Sequence, residues 1–294
     1  MEYRGVIMNY NKLREVVSEN PILIFQHLAK TGGTTYASIM QRCIRQNEFF
    51  NSCPHNFDRK GHHGIWDIGE IEKMWARLPA GQKARIRWSG GHIPAQTREI
   101  FDRPAYYFGF VRNPVDMVIS SLFYNFQRFN KSLDTIDEMN AIFARLKKQN
   151  KFSNPQTRHI SGAEVDEIIT LEHLEKAKRQ VDENFVFLAP TERFDDALVI
   201  SHMLFDWPIR KLFYVRQNVT QTFDVRDYIT AEQRQRLKEL HALDVKLYDH
   251  ACMRFDELMC SLGTGFRAKA KLFHFVNEKM PFVPRRLSLA GPSV

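Results

Sequence analysis

Three short uncharged apolar runs, Ile22–Phe25, Ala105–Val111 and Phe185–Ala189, limit the architecture most, because helical repeats lie between them. Apolar positions at the 3.6-residue period cover Thr34–Ile44, Ile68–Leu78, Val115–Gln127, Ile136–Lys148 and Leu171–Gln180. Strands separated by helices do not pair as hairpins. The expected fold is therefore α/β, a mostly parallel sheet covered by helices on both faces, with ligands beyond the carboxyl ends of the strands. With 294 residues, 44% of them hydrophobic, a single large core is comfortable, and no repeat or low-complexity linker divides it. The expected organisation is one domain over residues 1–262 and a basic, aromatic extension over 263–294.

The first run leads into Gln26-His-Leu-Ala-Lys-Thr-Gly-Gly-Thr-Thr35. Gly32 and Gly33 allow a sharp turn, and Thr34 and Thr35 begin the helical repeat. A helix entered this way aims its free N–H groups and positive dipole end at the turn, and Lys30 adds a full charge. Residues Lys30, Thr31, Gly32, Gly33, Thr34 and Thr35 are expected to cradle a phosphate or sulfate. The P-loop of nucleotide hydrolases, G-x-x-x-x-G-K-[ST], places its lysine after the last glycine and follows it with a magnesium-binding hydroxyl. Here the lysine comes first and no Gly-Lys-Ser/Thr follows, so no metal is expected at this loop.

A second segment, Tyr106-Tyr-Phe-Gly-Phe-Val-Arg-Asn-Pro114 continuing to Tyr124, repeats the order of strand, polar turn and helix. Arg112 falls at the strand's end, Asn113 is a helix cap, Pro114 suits the first turn, and Ser120 follows on the same helix. An arginine fork and a hydroxyl suit a second phosphate.

Together these segments resemble the sulfotransferases that use 3′-phosphoadenosine 5′-phosphosulfate (PAPS). His27-Leu-Ala-Lys-Thr-Gly-Gly-Thr-Thr35 is similar to their 5′-phosphosulfate loop, with Ala29 in place of a usual proline and Thr35 in place of a common serine. Arg112-Asn-Pro114 with Ser120 is similar to their 3′-phosphate motif; Ser121 is the adjacent alternative. Gly90-Gly-His92, after an apparent strand over Arg85–Trp88, resembles the Gly-His of the heparan and uronosyl 2-O-sulfotransferase branch and its bacterial relatives. Asn154-Pro-Gln-Thr-Arg158, Thr191-Glu-Arg-Phe194 and Asn218 extend the likeness.

The resemblance implies a P-loop-like sulfotransferase fold and transfer of a sulfuryl group from PAPS to an acceptor hydroxyl on a carbohydrate. It implies His92 as general base and Lys30 as the cation that neutralises the leaving phosphate, roles consistent with a neutral imidazole and an ammonium at pH 7. Arg112, Ser120 and Asn218 would then hold the donor, and Gln156 and Arg158 either shape the acceptor cleft or cap the helix after Pro155. Glu192 and Arg193 read as a salt bridge at a helix start. His27 reads either as a donor-site residue or as a structural one. Two alternatives stay open: a P-loop-like phosphoryl-transfer enzyme, and a non-catalytic nucleotide-binding protein.

Cys53, His55, His62 and His63 lack zinc-ligand spacing and read as part of a basic loop. Four scattered cysteines fit a reducing compartment. The Thr230-Ala-Glu-Gln233 capping box is expected to open one long helix toward Met259. The extension reads as a lid, a membrane-surface helix or packed structure, with packing favoured. A net charge of +8 favours negative partners, which the donor and an anionic polysaccharide or small-molecule acceptor would supply; no nucleic-acid motif is present. Met1 lies close to the first motif with no apolar span before it, so a cytoplasmic enzyme is expected.

Overall fold

The computed structural model describes residues 9–52, 68–128, 153–164, 166–214 and 229–279. Helix α1 (Tyr10–Ser18) precedes strand β1 (Ile22–Gln26), helix α2 (Gly33–Cys43) and strand β2 (Phe49–Phe50). Helices α3 (Ile68–Ala76) and α4 (Ala80–Lys83) lead to strands β3 (Trp88–Gly91) and β4 (Ala105–Val111), then helix α5 (Pro114–Arg128). Helices α6 (Pro155–Ser161) and α7 (Leu171–Asn184) precede strand β5 (Phe185–Pro190). Four helices complete the described chain: α8 (Phe194–Phe205), α9 (Ala231–Leu240), α10 (Ala242–Ser261) and α11 (Gly263–Lys279).

The strands pair in the order β2-β3-β1-β4-β5, all parallel. Alternation along the central strand explains the layers. Leu23 and Phe25 face a core with Tyr36, Phe108, Phe194, Phe205 and Trp207, whereas Ile22 and Ile24 face one with Tyr107, Phe185, Leu174 and Leu247. Helices α1, α2, α8 and α11 cover the first face and α3 and α7 the second; α10 reaches both, with Leu247 and Ala251 in the second core and Phe255 and Leu258 in the first. Phe266, Ala270 and Phe273 of α11 are buried within the first core, so residues 263–279 are packed structure.

Three local expectations change. The alternating Arg85-Ile-Arg-Trp88 reads as a strand, but the Ile86 N–H still bonds back to Gln82 and Lys83, and the strand begins at Trp88. It continues through Gly90 because β1 lies close there: a Cβ on Gly90 would stand 2.5 Å from the Phe25 carbonyl oxygen. The Thr230 capping box forms, but the helix breaks at His241 (φ −114°, ψ 33°) into α9 and α10. Thr191–Arg193 make a 3₁₀ turn before α8 rather than its first turn. The expected helix Ile136–Lys148 and the Cys53–His63 loop lie outside the described residues.

The break at His241 serves a reciprocal contact. Asn154 (φ 48°) accepts the N–H groups of Leu243 and Asp244 on its Oδ1, both at 3.0 Å, capping α10. Asp244, fully buried, accepts the N–H groups of Gln156 at 3.1 Å and Thr157 at 2.7 Å, capping α6. His241 Nδ1 accepts the Asn154 N–H at 3.1 Å.

Candidate active site

Beyond β1 the chain turns through Lys30, whose backbone is left-handed (φ 63°), and Gly32 (φ 81°), then enters α2. No side chain caps this helix. Its first backbone bond runs from the Tyr36 N–H to the Gly32 carbonyl at 3.2 Å, so the first-turn amides precede any intrahelical partner. Gly33 admits no side chain: a Cβ there would lie 1.9 Å from His27 Cδ2. Gly33→Ala is therefore expected to displace the His27 ring or the loop and to abolish anion binding at the helix start, as read by calorimetry with 3′,5′-adenosine bisphosphate. Unchanged affinity would show that the His27 ring gives way and the loop keeps its shape.

Arg112 leaves β4 beside this turn and donates from Nη1 to the Lys30 carbonyl at 3.1 Å. Its own N–H donates to Gln156 Oε1 at 2.9 Å, and Gln156 Nε2 donates to the Arg112 carbonyl at 2.8 Å. Asn113 Oδ1 accepts the Val115 N–H at 3.1 Å, the expected cap of α5. The Thr191 hydroxyl sits 2.9 Å from both the Thr31 and Val111 carbonyl oxygens and ties the two loops together. Glu192 accepts the Asn113 N–H and the Tyr248 hydroxyl, while Arg193 pairs with Asp196 and Asp256 rather than with Glu192.

Burial first, and the neighbouring Arg112 charge second, lower Lys30 to about 8. Its ammonium rests 3.9 Å from the Tyr124 ring centroid. His27 and His92 stack at 4.1 Å between centroids with planes 22° apart. Burial, then the His92 and His159 charges, hold His27 well below its usual value; burial with His92 brings His159 down to about 4. A proton on one ring opposes a proton on the next, which together with burial favours neutral His27 and His159.

Acid should therefore destabilise the protein. An unfolded histidine titrates near 6.5, whereas His159 and His241 fold with values of about 4, so the unfolded chain binds more protons between these limits. Stability is lost as pH falls through 6.5 toward about 4. Asp244, raised to about 6 by burial, acts in the opposite direction and offsets part of the loss. The expected result is a falling urea midpoint across that window; a constant midpoint would refute it.

Lys30, Gly32, Gly33, Thr34, Thr35, His92, Arg112 and Ser120 line one cleft of about 1380 Å³, together with Ser121. Typical small-ligand sites occupy roughly 300–1,000 Å³, so there is room for a donor and an acceptor together. Thr31 is buried and its hydroxyl donates to the Leu28 carbonyl, so it contributes backbone only. Gln156 and Arg158 do not line the cleft. Both are buried, Gln156 bonded to the Arg112 backbone and Arg158 to the Glu164 carbonyl, so neither presents its side chain to the cleft. Asn218 lies outside the described residues. Sequence reading missed Tyr124, although it stands one helical turn beyond Ser120, and missed the α11 stripe of Arg267, Lys271 and His274 that forms one wall.

A central parallel strand feeding a glycine turn and helix, with a second cationic loop beside it, makes an α/β fold consistent with that of sulfotransferases. No protein-family model matches the chain. The chain is similar to mouse (Mus musculus) galactose-3-O-sulfotransferase 2, 24% identical over 163 residues, covering 53% of this chain and 41% of that protein. It is also similar to bovine (Bos taurus) galactose-3-O-sulfotransferase 3, 33% identical over 85 residues, covering 29% of this chain and 20% of that protein. The chain thus spans less than half the length of these curated relatives. Over the matched stretches the chain is similar to sulfotransferases, and these relatives are named for galactose 3-O rather than uronosyl 2-O transfer. Among the described residues no helix is long and apolar enough to cross a membrane.

Proposed function

We propose that this chain transfers the sulfuryl group of PAPS to a carbohydrate hydroxyl. The observation that carries the reading is the convergence of Lys30, the α2 amides and the Arg112–Ser120 pair on one cleft with His92. The first-turn amides of α2 and Lys30 bind the 5′-phosphosulfate, and Arg112 and Ser120 hold the 3′-phosphate, so remote binding fixes the reacting geometry. The acceptor oxygen forms a bond to sulfur as the sulfur–oxygen bond to the donor phosphate breaks. His92 takes the acceptor proton, and Lys30 meets the negative charge that the bond pair leaves on the phosphate oxygen. The relatives' names make galactosides the first acceptors to try.

The deciding experiment is calorimetric titration of 3′,5′-adenosine bisphosphate and of ATP, both without magnesium, on wild type and Arg112→Ala, followed by transfer from radiolabelled PAPS to galactosides. Selective bisphosphate binding that collapses in the variant is expected. Equal binding of both nucleotides that ignores Arg112 would return the site to phosphoryl transfer, and bisphosphate binding with no transfer to any sugar would make it a non-catalytic nucleotide site.

A further inference from the structure

Lys30 is a buried-side cation whose immediate counter-group is not an acid. Among the described residues no carboxylate forms an ion pair with it. The carboxylates that line the cleft are engaged elsewhere: Asp116 of α5 pairs with Arg234 at 3.2 Å, Glu192 after β5 is bonded to the Asn113 N–H and the Tyr248 hydroxyl, Asp195 to the Tyr214 hydroxyl and His274, and Asp196 and Asp256 pair with Arg193. Of the cationic groups that line the cleft, Arg112 acts on Lys30 directly: its guanidinium bonds the Lys30 carbonyl and its charge opposes the ammonium. What faces the ammonium is the Tyr124 ring, 3.9 Å from its centroid, on a side chain 37% exposed to the cleft and solvent.

We propose that Tyr124 is a positioning residue for Lys30: its ring face stands where a carboxylate would otherwise sit and surrenders the ammonium to an incoming anion. The proposal rests on the cleft being a sulfuryl-donor site. A carboxylate partner would cancel the Lys30 charge and compete with the phosphosulfate for it. A ring carries no net charge, so it favours the protonated amine through its quadrupole while leaving the cleft cationic. It also fixes the direction of Nζ, because a left-handed backbone at Lys30 and a carbonyl tied to Arg112 leave only the side chain to be aimed. Ser120 and Tyr124, one turn apart on α5, then serve the two ends of the donor from one helix face.

The test is competitive acetylation of the ligand-free protein from about pH 6 to about pH 10, read by mass spectrometry at Lys30, in wild type, Tyr124→Phe and Tyr124→Leu. Wild type is expected to show a midpoint near 8, and Tyr124→Phe the same, because the ring is kept. Tyr124→Leu should move the midpoint down by about half a pH unit, the scale of a partly exposed cation–π contact. In parallel, bisphosphate affinity above the shifted midpoint should fall about threefold in Tyr124→Leu and stay unchanged in Tyr124→Phe. A Tyr124→Leu midpoint at or above the wild-type one, or an equal shift in Tyr124→Phe, overturns the proposal. If no form binds the bisphosphate, the donor-site reading fails, while the acetylation profile still decides whether the ring holds the amine.

Discussion

Lys30→Ala is expected to lower sulfuryl transfer by about 10²–10³-fold, the loss of about 2.7–4 kcal/mol seen when one preorganised group facing a developing anion is removed. On the proposed mechanism the charge that Lys30 meets grows as the sulfur–oxygen bond breaks, so kcat should suffer more than bisphosphate affinity, which the α2 amides and Arg112 would continue to support. Lys30→Arg should rescue little, because the guanidinium is planar and wide and Lys30 sits in a left-handed turn against Tyr124. The same residue sets a pH limit. With its amine lowered to about 8, kcat/KM should fall as pH rises through that value, when the free enzyme loses the proton that Lys30 needs to act as a cation. Equal losses in affinity and kcat for Lys30→Ala would reduce its role to ground-state binding.

The second large effect is on stability. Asp244→Ala leaves the Gln156 and Thr157 N–H groups buried without their acceptor, and each such group costs about 1–3 kcal/mol. Removing a buried carboxyl also relieves its own burial, which already pushes it up to about 6, so a net loss of about 3 kcal/mol is expected from urea unfolding at pH 8. Asp244→Asn keeps one acceptor oxygen and should lose less. The consequence extends to the site, because α6 carries Gln156 and Gln156 holds the Arg112 backbone from both sides. Asp244→Ala should therefore weaken bisphosphate binding even where the protein remains folded. Normal affinity in the folded variant would separate α6 from the positioning of Arg112.

How much of this was legible beforehand depends on the range of the forces involved. Strand β4 matches the apolar run Ala105–Val111 residue for residue, and β1 and β5 differ by a single residue at their ends, because continuous burial of a parallel strand is written locally. The glycine turn into α2 was legible for the same reason: Lys30, Gly32 and Gly33 are neighbours in the chain, and their order departs from that of a magnesium P-loop. Strand β2, only Phe49–Phe50, is too short to leave a pattern. The exchange of caps between Asn154 and Asp244 joins positions far apart in sequence, and nothing local marks either residue as a cap for the other's helix. Gln156 shows the limit most plainly. Its residue type fits an acceptor cleft, but both ends of its amide are used by one backbone unit, a fact only the packing reveals.

The Thr191 hydroxyl carries one proton and lies 2.9 Å from carbonyl oxygens of both loops, so the two share a single clasp. Through this shared hydroxyl the two loops stand at a set spacing, a gauge for the distance between a ligand's anionic ends. A ligand whose anionic ends match that width meets both loops at once, whereas one with all its phosphates at a single end satisfies one loop and leaves the other in water. On the proposed donor-site reading, selectivity between such nucleotides depends on spacing more than on charge, and Thr191 sets that spacing from the cleft wall.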